Sequence, residues 1–567
     1  LNLPKRKMRL GDILKAQGIV TDRQLEAALA IQQRTKQRLG DILIETGITT
    51  ETQITNALHS QLGIEMVELR GIKISPEVIG LVSGSILRKH KVLPIGFDEK
   101  DQNALILAMA DPLDMVAQDD IAIITNRRIE PRVATVGAIN SVLDRYFGNE
   151  EAMTAAEQYT KEREQQLQLL EDTALQAELE LNSAPIVQLV KTMIEQAVRQ
   201  RASDIHIEAL EKKVRIRYRI DGILMEKMLY DAALLAAIVT RIKIIGRMDI
   251  SEKRKPQDGR ITTSVDHTEY DVRVSVIPTS YGEKVVMRLQ NATILTRDKS
   301  ELGFRNWELK KFDHILSNPN GMILVTGPTG SGKSTTLYTA LSELNDEQVN
   351  IVTVEDPVEA NIPGINQIQV NTKAEMTFAN ALRAILRQDP DIIMIGEIRD
   401  FETASIAVQA SITGHLVVST LHTNSASATV TRLIDMGVES FLLADSVVGI
   451  IAQRLVRRLC TACRKQRPAT EQEKTLLGID PSLPLMIYAP AGCHLCSETG
   501  YYGRIGVYEI MEITPQLKRI IALKGATEKI REQAIKDGMH TLRMSASEYV
   551  LDGTTSISEM VKVSFEV

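Results

Sequence analysis

Apolar positions near the start of the chain repeat. Residues 9–32 read RLGDILKAQGIVTDRQLEAALAIQ and residues 38–61 read RLGDILIETGITTETQITNALHSQ, two 24-residue copies separated by five residues. Each copy predicts a short helix, a break at Gly18 or Gly47, a cap at Thr21 or Thr50, and a second, amphipathic helix. Leu25, Leu29 and Gln32 share one face at helical spacing, as do Ile54, Leu58 and Gln61. Residues 64–147 read as a compact α+β module, with a strand at Asn103–Met109 and a turn into a helix at ADPLD, which carries Asp111 and Asp114. Together these segments predict an N-terminal regulatory module over 1–148. Residues 149–182 follow as an acidic linker; positions 150–180 hold nine acidic residues against two basic ones and neither Gly nor Pro.

The period then changes. Ile186–Arg201 is helical, and DIHIEALEKKVRIRYRIDGIL alternates at period two, as does YDVRVSVIPTSYGEKVVMRL, so 183–300 reads as an α+β middle domain. In 301–567 the strands Gly321–Thr326, Asn350–Val354, Asp391–Ile395 and Leu416–Thr420 alternate with helices, which predicts a mostly parallel sheet. A cysteine-bearing segment occupies 457–508, and the tail after 510 is helical. The fold class is therefore multidomain, α/β and α+β. At 567 residues the chain is too long for one hydrophobic core. Only 4% of residues are aromatic and the net charge is −6, both of which oppose a nucleic-acid polymer as partner. No apolar run approaches the roughly 18 residues of a membrane span, so a cytoplasmic location is expected, with membrane association through partners.

Chemistry concentrates in the last domain. GPTGSGKS at 327–334 fits the phosphate loop G-x-x-x-x-G-K-[ST] and lies between a predicted strand and helix. Gly327, Pro328, Thr329, Gly330, Ser331 and Gly332 would cradle phosphate oxygens with backbone N–H groups, and Lys333 would reach the β/γ-phosphates. Ser334, with Thr335 beside it, would serve Mg²⁺. A second carboxylate is expected at a neighbouring strand tip. DIIMIGEIRD supplies Glu397 where an Asp is usual, and TVEDPVE supplies Glu355, Asp356 and Glu359. Glu355 is the preferred candidate to orient or deprotonate the attacking water. TGHLVVSTLHTN brings His415 and His422; His422 follows its strand on the side where loops gather and is preferred as the γ-phosphate sensor.

The order of these blocks resembles the secretion-superfamily ATPases, which drive type II secretion and type IV pilus extension or retraction. There the four blocks are Walker A, Asp box, Walker B and His box. SDIHIE, RIRYRIDG and KRKPQDGR match the domain ahead of the motor, so the resemblance spans 183–567. It implies a PAS-like middle domain, a RecA-like motor, and a homohexamer in which at least one of Arg217, Arg219 and Arg260 reaches ATP. It further implies work on an inner-membrane platform protein with a cytoplasmic pilus-assembly adaptor, at the inner-membrane face.

Cys460, Cys463, Cys493 and Cys496 form two C-x-x-C pairs, the pattern of a structural Zn²⁺ site; two redox pairs or free thiols are the alternatives. The N-terminal repeats resemble the cyclic di-GMP-binding domain found at the front of some of these ATPases. By that resemblance Arg9, Leu10, Gly11, Leu14, Leu25, Leu29 and Gln32 of the first copy contact the dinucleotide. Arg38, Leu39, Gly40, Leu43, Ile54, Leu58 and Gln61 do so in the second, with Ile54 standing where Leu is usual, and Asp111 adds a guanine contact. The function expected is a type IV pilus extension ATPase under cyclic di-GMP control. A type II secretion ATPase is the alternative, and a helical adaptor is the alternative for the repeats.

Overall fold

The computed structural model describes residues 10–35, 38–62, 64–69, 71–98, 101, 103–147, 184–290 and 298–564. The expected linker 149–182 and Arg9 lie outside them. The chain divides into two compact units, residues 1–290 and 291–567.

Within the first unit, the repeats form the helices Leu10–Ala16 and Asp22–Thr35, then Leu39–Glu45 and Glu51–Leu62. Gly18 and Gly47 end the short helices at φ near +70°, a conformation that favours glycine. Each long helix starts with a reciprocal cap: Gln24 and Gln53 side chains accept the Thr21 and Thr50 N–H groups at 2.9 Å, while the threonine oxygens accept from the Gln backbone. The module downstream carries a three-stranded sheet of Val92–Phe97, Ala104–Met109 and Arg128–Val133. Its last helix, 136–147, receives Glu51 from the second repeat, whose carboxylate accepts the Val136 and Gly137 N–H groups. Burial pushes the Glu51 carboxyl up, against the pull of those bonds.

The middle domain is a six-stranded antiparallel sheet. In order across the sheet the strands are Ile223–Asp231, Lys213–Ile220, Ala202–Ala209, Gly282–Gln290, Thr268–Thr279 and Gln257–Val265. One face buries Ile205, Ile207, Val272, Val274 and Met287 with residues of the helices Ala184–Arg199 and Leu235–Ile245. The alternate positions form the other, charged face.

The second unit is built on a seven-stranded sheet. Its strands run, in order, Asn366–Gln369, Ile351–Glu355, Ile392–Ile395, Leu416–Leu421, Gly321–Thr326, Val447–Leu459 and Tyr501–Glu512. All neighbours are parallel except the last pair. The inner parallel strands are mostly apolar because both faces are covered, whereas the edge strand Asn366–Gln369 is polar and partly exposed. The expected cysteine insert is narrower than 457–508. Val447–Leu459 and Tyr501–Glu512 pair with each other as the sheet's antiparallel margin. Only the segment between them, with the hairpin Lys465–Pro468/Met486–Ala489 and the helix Glu471–Leu477, stands outside the sheet.

Candidate active site

The phosphate loop leaves the C-terminal end of Gly321–Thr326, at the sheet's centre, and runs into the helix Lys333–Leu344. Gly330 and Gly332 take φ of 79° and 92°, and a Cβ on Gly327 would come within 2.5 Å of the Gln453 carbonyl oxygen. These glycines let the loop's N–H groups turn inward. Lys333 is buried and donates to the Gly327 and Pro328 carbonyls at 2.8 and 3.1 Å. Burial pushes its ammonium down to about 8, against the pull of the Glu397 charge. Ser334 is exposed at the helix start, and Ser331 is buried beside Gly327.

Glu397 follows Ile392–Ile395 and is ion-paired with Arg399; His422 Nε2 lies 3.4 Å from its other oxygen. His422 closes the strand Leu416–Leu421 at its C-terminal end and is half exposed. The structure thus separates the two histidines. His415 precedes the same strand, at the opposite end, and its Nδ1 is spent on the Ala410 carbonyl at 2.9 Å.

Glu355 also ends its strand near the loop side, but it is only 4% exposed. Its oxygens accept from Tyr338, Thr353 and Gln367. Three neutral donors take up three of the carboxylate's roughly four acceptor positions, two on Oε1 and one on Oε2, which leaves room for at most one further donor there. This narrows the role expected from the sequence. Asp356, next along, is exposed, and Glu359 is half-buried.

Two site residues were not singled out from the sequence. Gln453 and Arg454, on Val447–Leu459, lie against the phosphate loop and are 2% and 4% exposed. A polar pair inside the apolar run VVGIIAQRLV was the signal available.

Arg217, Arg219 and Arg260 stand on the charged face of the middle domain. The strand registers set Arg260 opposite Arg273, Arg273 opposite Arg288, Arg288 opposite Asp204, and Asp204 opposite Arg219. Arg219 and Arg260 are therefore in one transverse row, four strand spacings or ~19 Å apart. Arg217 sits one step along and donates to Glu208 at 2.6 Å. Burial raises that carboxyl, but hydrogen bonds from Arg217, Arg215 and Lys284 win and hold it down at about 2. Arg260 is paired with Asp271.

The four cysteine sulfurs converge within 4.8 Å of one another. Cys460–Cys493 and Cys463–Cys496 are 3.8 Å apart and Cys493–Cys496 3.7 Å, far beyond a disulfide bond of about 2.05 Å. Sulfurs about 2.3 Å from a tetrahedral Zn²⁺ stand about 3.8 Å from each other, so the spacing fits that ion. The Cys493 and Gly500 N–H groups donate to the Cys496 sulfur.

In the repeats, Leu14, Leu43 and Ile54 are buried in the helical core, joined by Leu10, Leu25, Leu39 and Leu58 at its margin. Gly11 and Gly40 permit close packing of Leu25 and Ile54. Leu29 is exposed and Gln32 half-buried; the Gln61 side chain lies outside the described residues. Arg38 is exposed and meets Asp111 at 2.8 Å and Asp114 at 3.1 Å. Asp114 also caps the helix Met115–Thr125 through the Ala117 N–H.

The family model for type II/IV secretion system proteins matches residues 179–562. The chain belongs to that family. A second model, the MshEN domain, matches residues 62–153, directly after the repeats. The type IV pilus assembly ATPase PilB of Myxococcus xanthus is 42% identical over 565 residues, covering 98% of each chain. Type II secretion system protein E of Aeromonas hydrophila is 49% identical over 385 residues, which is 68% of this chain and 77% of that one. Among solved structures, the Legionella pneumophila ATPase DotB superposes with a TM-score of 0.50 at 20% identity, over 67% of this chain and 96% of that chain, a likeness of fold. Family and phosphate loop together make the chain an ATP hydrolase.

Proposed function

We propose that the chain is the hexameric motor of type IV pilus extension, acting at the cytoplasmic face of the inner membrane. The observation that carries this reading is the likeness to a pilus assembly ATPase along 98% of both chains, whereas the likeness to the Aeromonas secretion protein E covers 68% of this one. Among the described residues no helix is long and apolar enough to cross a membrane. Work on pilin would therefore pass through an inner-membrane platform protein, with a cytoplasmic adaptor.

In hydrolysis the loop N–H groups and Lys333 bind the β/γ-phosphates, and Ser334 with Glu397 would hold Mg²⁺, which shields charge developing on the phosphates. His422, beside Glu397, would read the γ-phosphate. Arginines of the charged sheet face complete the site from a neighbouring subunit. Cys460, Cys463, Cys493 and Cys496 hold a structural Zn²⁺, as four thiolates leave no open position.

Cyclic di-GMP binds the repeats. Arg38 would exchange its pair with Asp111 and Asp114 for a guanine. The test is a host strain lacking the chain's gene. We expect it to lack surface pili, and wild type to restore them while Arg38→Ala restores them without a response to the dinucleotide. Intact pili with lost protein export would favour type II secretion instead.

A further inference from the structure

The phosphate loop is gripped from behind by one residue of the strand Val447–Leu459. That strand runs parallel to Gly321–Thr326 with Thr326 opposite Ala452, so Gln453 comes next, level with the start of the loop. Its backbone carbonyl lies against Gly327, where an added Cβ would approach it to 2.5 Å. Its amide nitrogen lies against Gly332, where an added Cβ would approach it to 2.8 Å. Its amide oxygen accepts the Thr336 hydroxyl at 2.8 Å in a fully buried bond. One residue thus meets the first glycine of the loop through its backbone carbonyl, and the last glycine and the helix that carries Lys333 through its side chain.

Arg454 extends the grip. Its guanidinium donates to the Gln453 carbonyl at 3.1 Å, the same oxygen that faces Gly327. It also donates to the Asn424 side-chain oxygen at 3.1 Å, two residues past His422. The loop and the His422 segment are joined again where Thr326 and Thr423 share a hydrogen bond of 2.6 Å. Neither Gln453 nor Arg454 is solvated enough to be explained as a surface residue. Burying an Arg and a Gln side by side is costly unless their hydrogen bonds are satisfied there.

We infer that Gln453 and Arg454 are a positioning pair for ATP hydrolysis: Gln453 fixes the width of the phosphate loop, and Arg454 ties that loop to the segment bearing His422. The inference rests on ATP being bound at this loop. The two residues act at different stages. Loop width governs how well any nucleotide is held, in the ground state and transition state alike, so its loss appears in KM. The tie to His422 matters when the γ-phosphate departs, so its loss appears in kcat.

The test is steady-state hydrolysis of ATP by the full chain with the variants Gln453→Glu, Thr336→Val, Thr336→Ser and Arg454→Lys. Gln453→Glu is isosteric and loses the amide N–H₂ that faces Gly332 while keeping an oxygen for Thr336, and Thr336→Val removes the Thr336 bond, so each frees one side of the same side chain. We expect each to raise KM about tenfold with kcat within about twofold of wild type. The double variant should be no worse than the poorer single one. Thr336→Ser, which keeps the hydroxyl, should return KM towards wild type. Arg454→Lys should lower kcat about tenfold with KM little changed, because Lys cannot bridge two acceptors in a fixed fork. Unchanged KM in folded Gln453→Glu and Thr336→Val overturns the proposal. So does equal loss of KM and kcat in all variants, or failure of all to give soluble protein, either of which would make the pair a folding element. Absence of turnover in wild type itself would instead strike the nucleotide reading.

Discussion

Lys333 is the residue whose chemistry is most exposed to test. The ammonium bonds to loop carbonyls and is held down at about 8 by burial. The depressed value means that in the folded, nucleotide-free protein the group is mostly neutral above about pH 8, while an unfolded lysine keeps its proton to near 10.5. Folding therefore costs less on this account as pH rises from about 8 towards 10.5. Phosphate oxygens favour the charged form. Nucleotide binding near pH 9 should accordingly draw about one proton onto the protein, and near pH 7 none from this group. Calorimetry in buffers of different ionisation heat measures that uptake; equal apparent heats near pH 9 would contradict the assignment. At this scale motif spacing put Lys333 at a helix start and Glu397 and His422 just past strand ends, and the structure has them at those positions. The sequence was a poor guide to Glu355. The donors that occupy its carboxylate, Tyr338 and Gln367, come from other elements, and no local pattern announces them.

At the scale of elements, the parallel strands were legible to within about a residue or so at each end, since a strand buried on both faces must be apolar throughout. Ile392–Ile395 and Leu416–Leu421 are such runs. The margin strands Val447–Leu459 and Tyr501–Glu512 were harder. They mix buried and polar positions: Gln453 and Arg454 break one, and glycines and charges break the other. As a result the cysteine segment was drawn too wide. The capped design of the repeats was legible for the opposite reason, as Gly18, Gly47, Thr21 and Thr50 are local signals with local consequences. The insert offers a prediction of its own. Its hairpin and helix pack Ala469, Leu477 and Ile487 against Val456, Val507 and Leu542, and a metal ion on the four sulfurs would tie the cysteine-bearing ends beyond that cluster. Cys496→Ser should remove about one bound Zn²⁺ per chain by metal analysis and open residues 460–500 to protease, leaving the sheet intact. Full metal content in that variant would contradict the site.

At the scale of the molecule, the sequence separated regulatory, middle and motor segments by their changes of period, and the structure gathers the first two into one compact unit. The contacts behind that grouping are polar and could not be read from periodicity. Asp144, on the helix that Glu51 caps, accepts from Arg88 at 2.6 Å and from Arg199 at 2.7 Å. Arg199 then forks onto Asp266 of the middle domain at 3.0 and 3.1 Å. A continuous path of charged hydrogen bonds thus runs from the second repeat to the sheet whose open face carries the arginine row. The proposed function depends on one claim, that ATP is hydrolysed at the loop 327–334. The most direct measurement is phosphate release from ATP by the purified full chain and by Lys333→Ala, at matched secondary structure and assembly state. The account predicts turnover in wild type and a loss of at least about a hundredfold in the variant, since a positioned cation on the transferring phosphoryl is worth that much. Turnover by Lys333→Ala equal to wild type would contradict it.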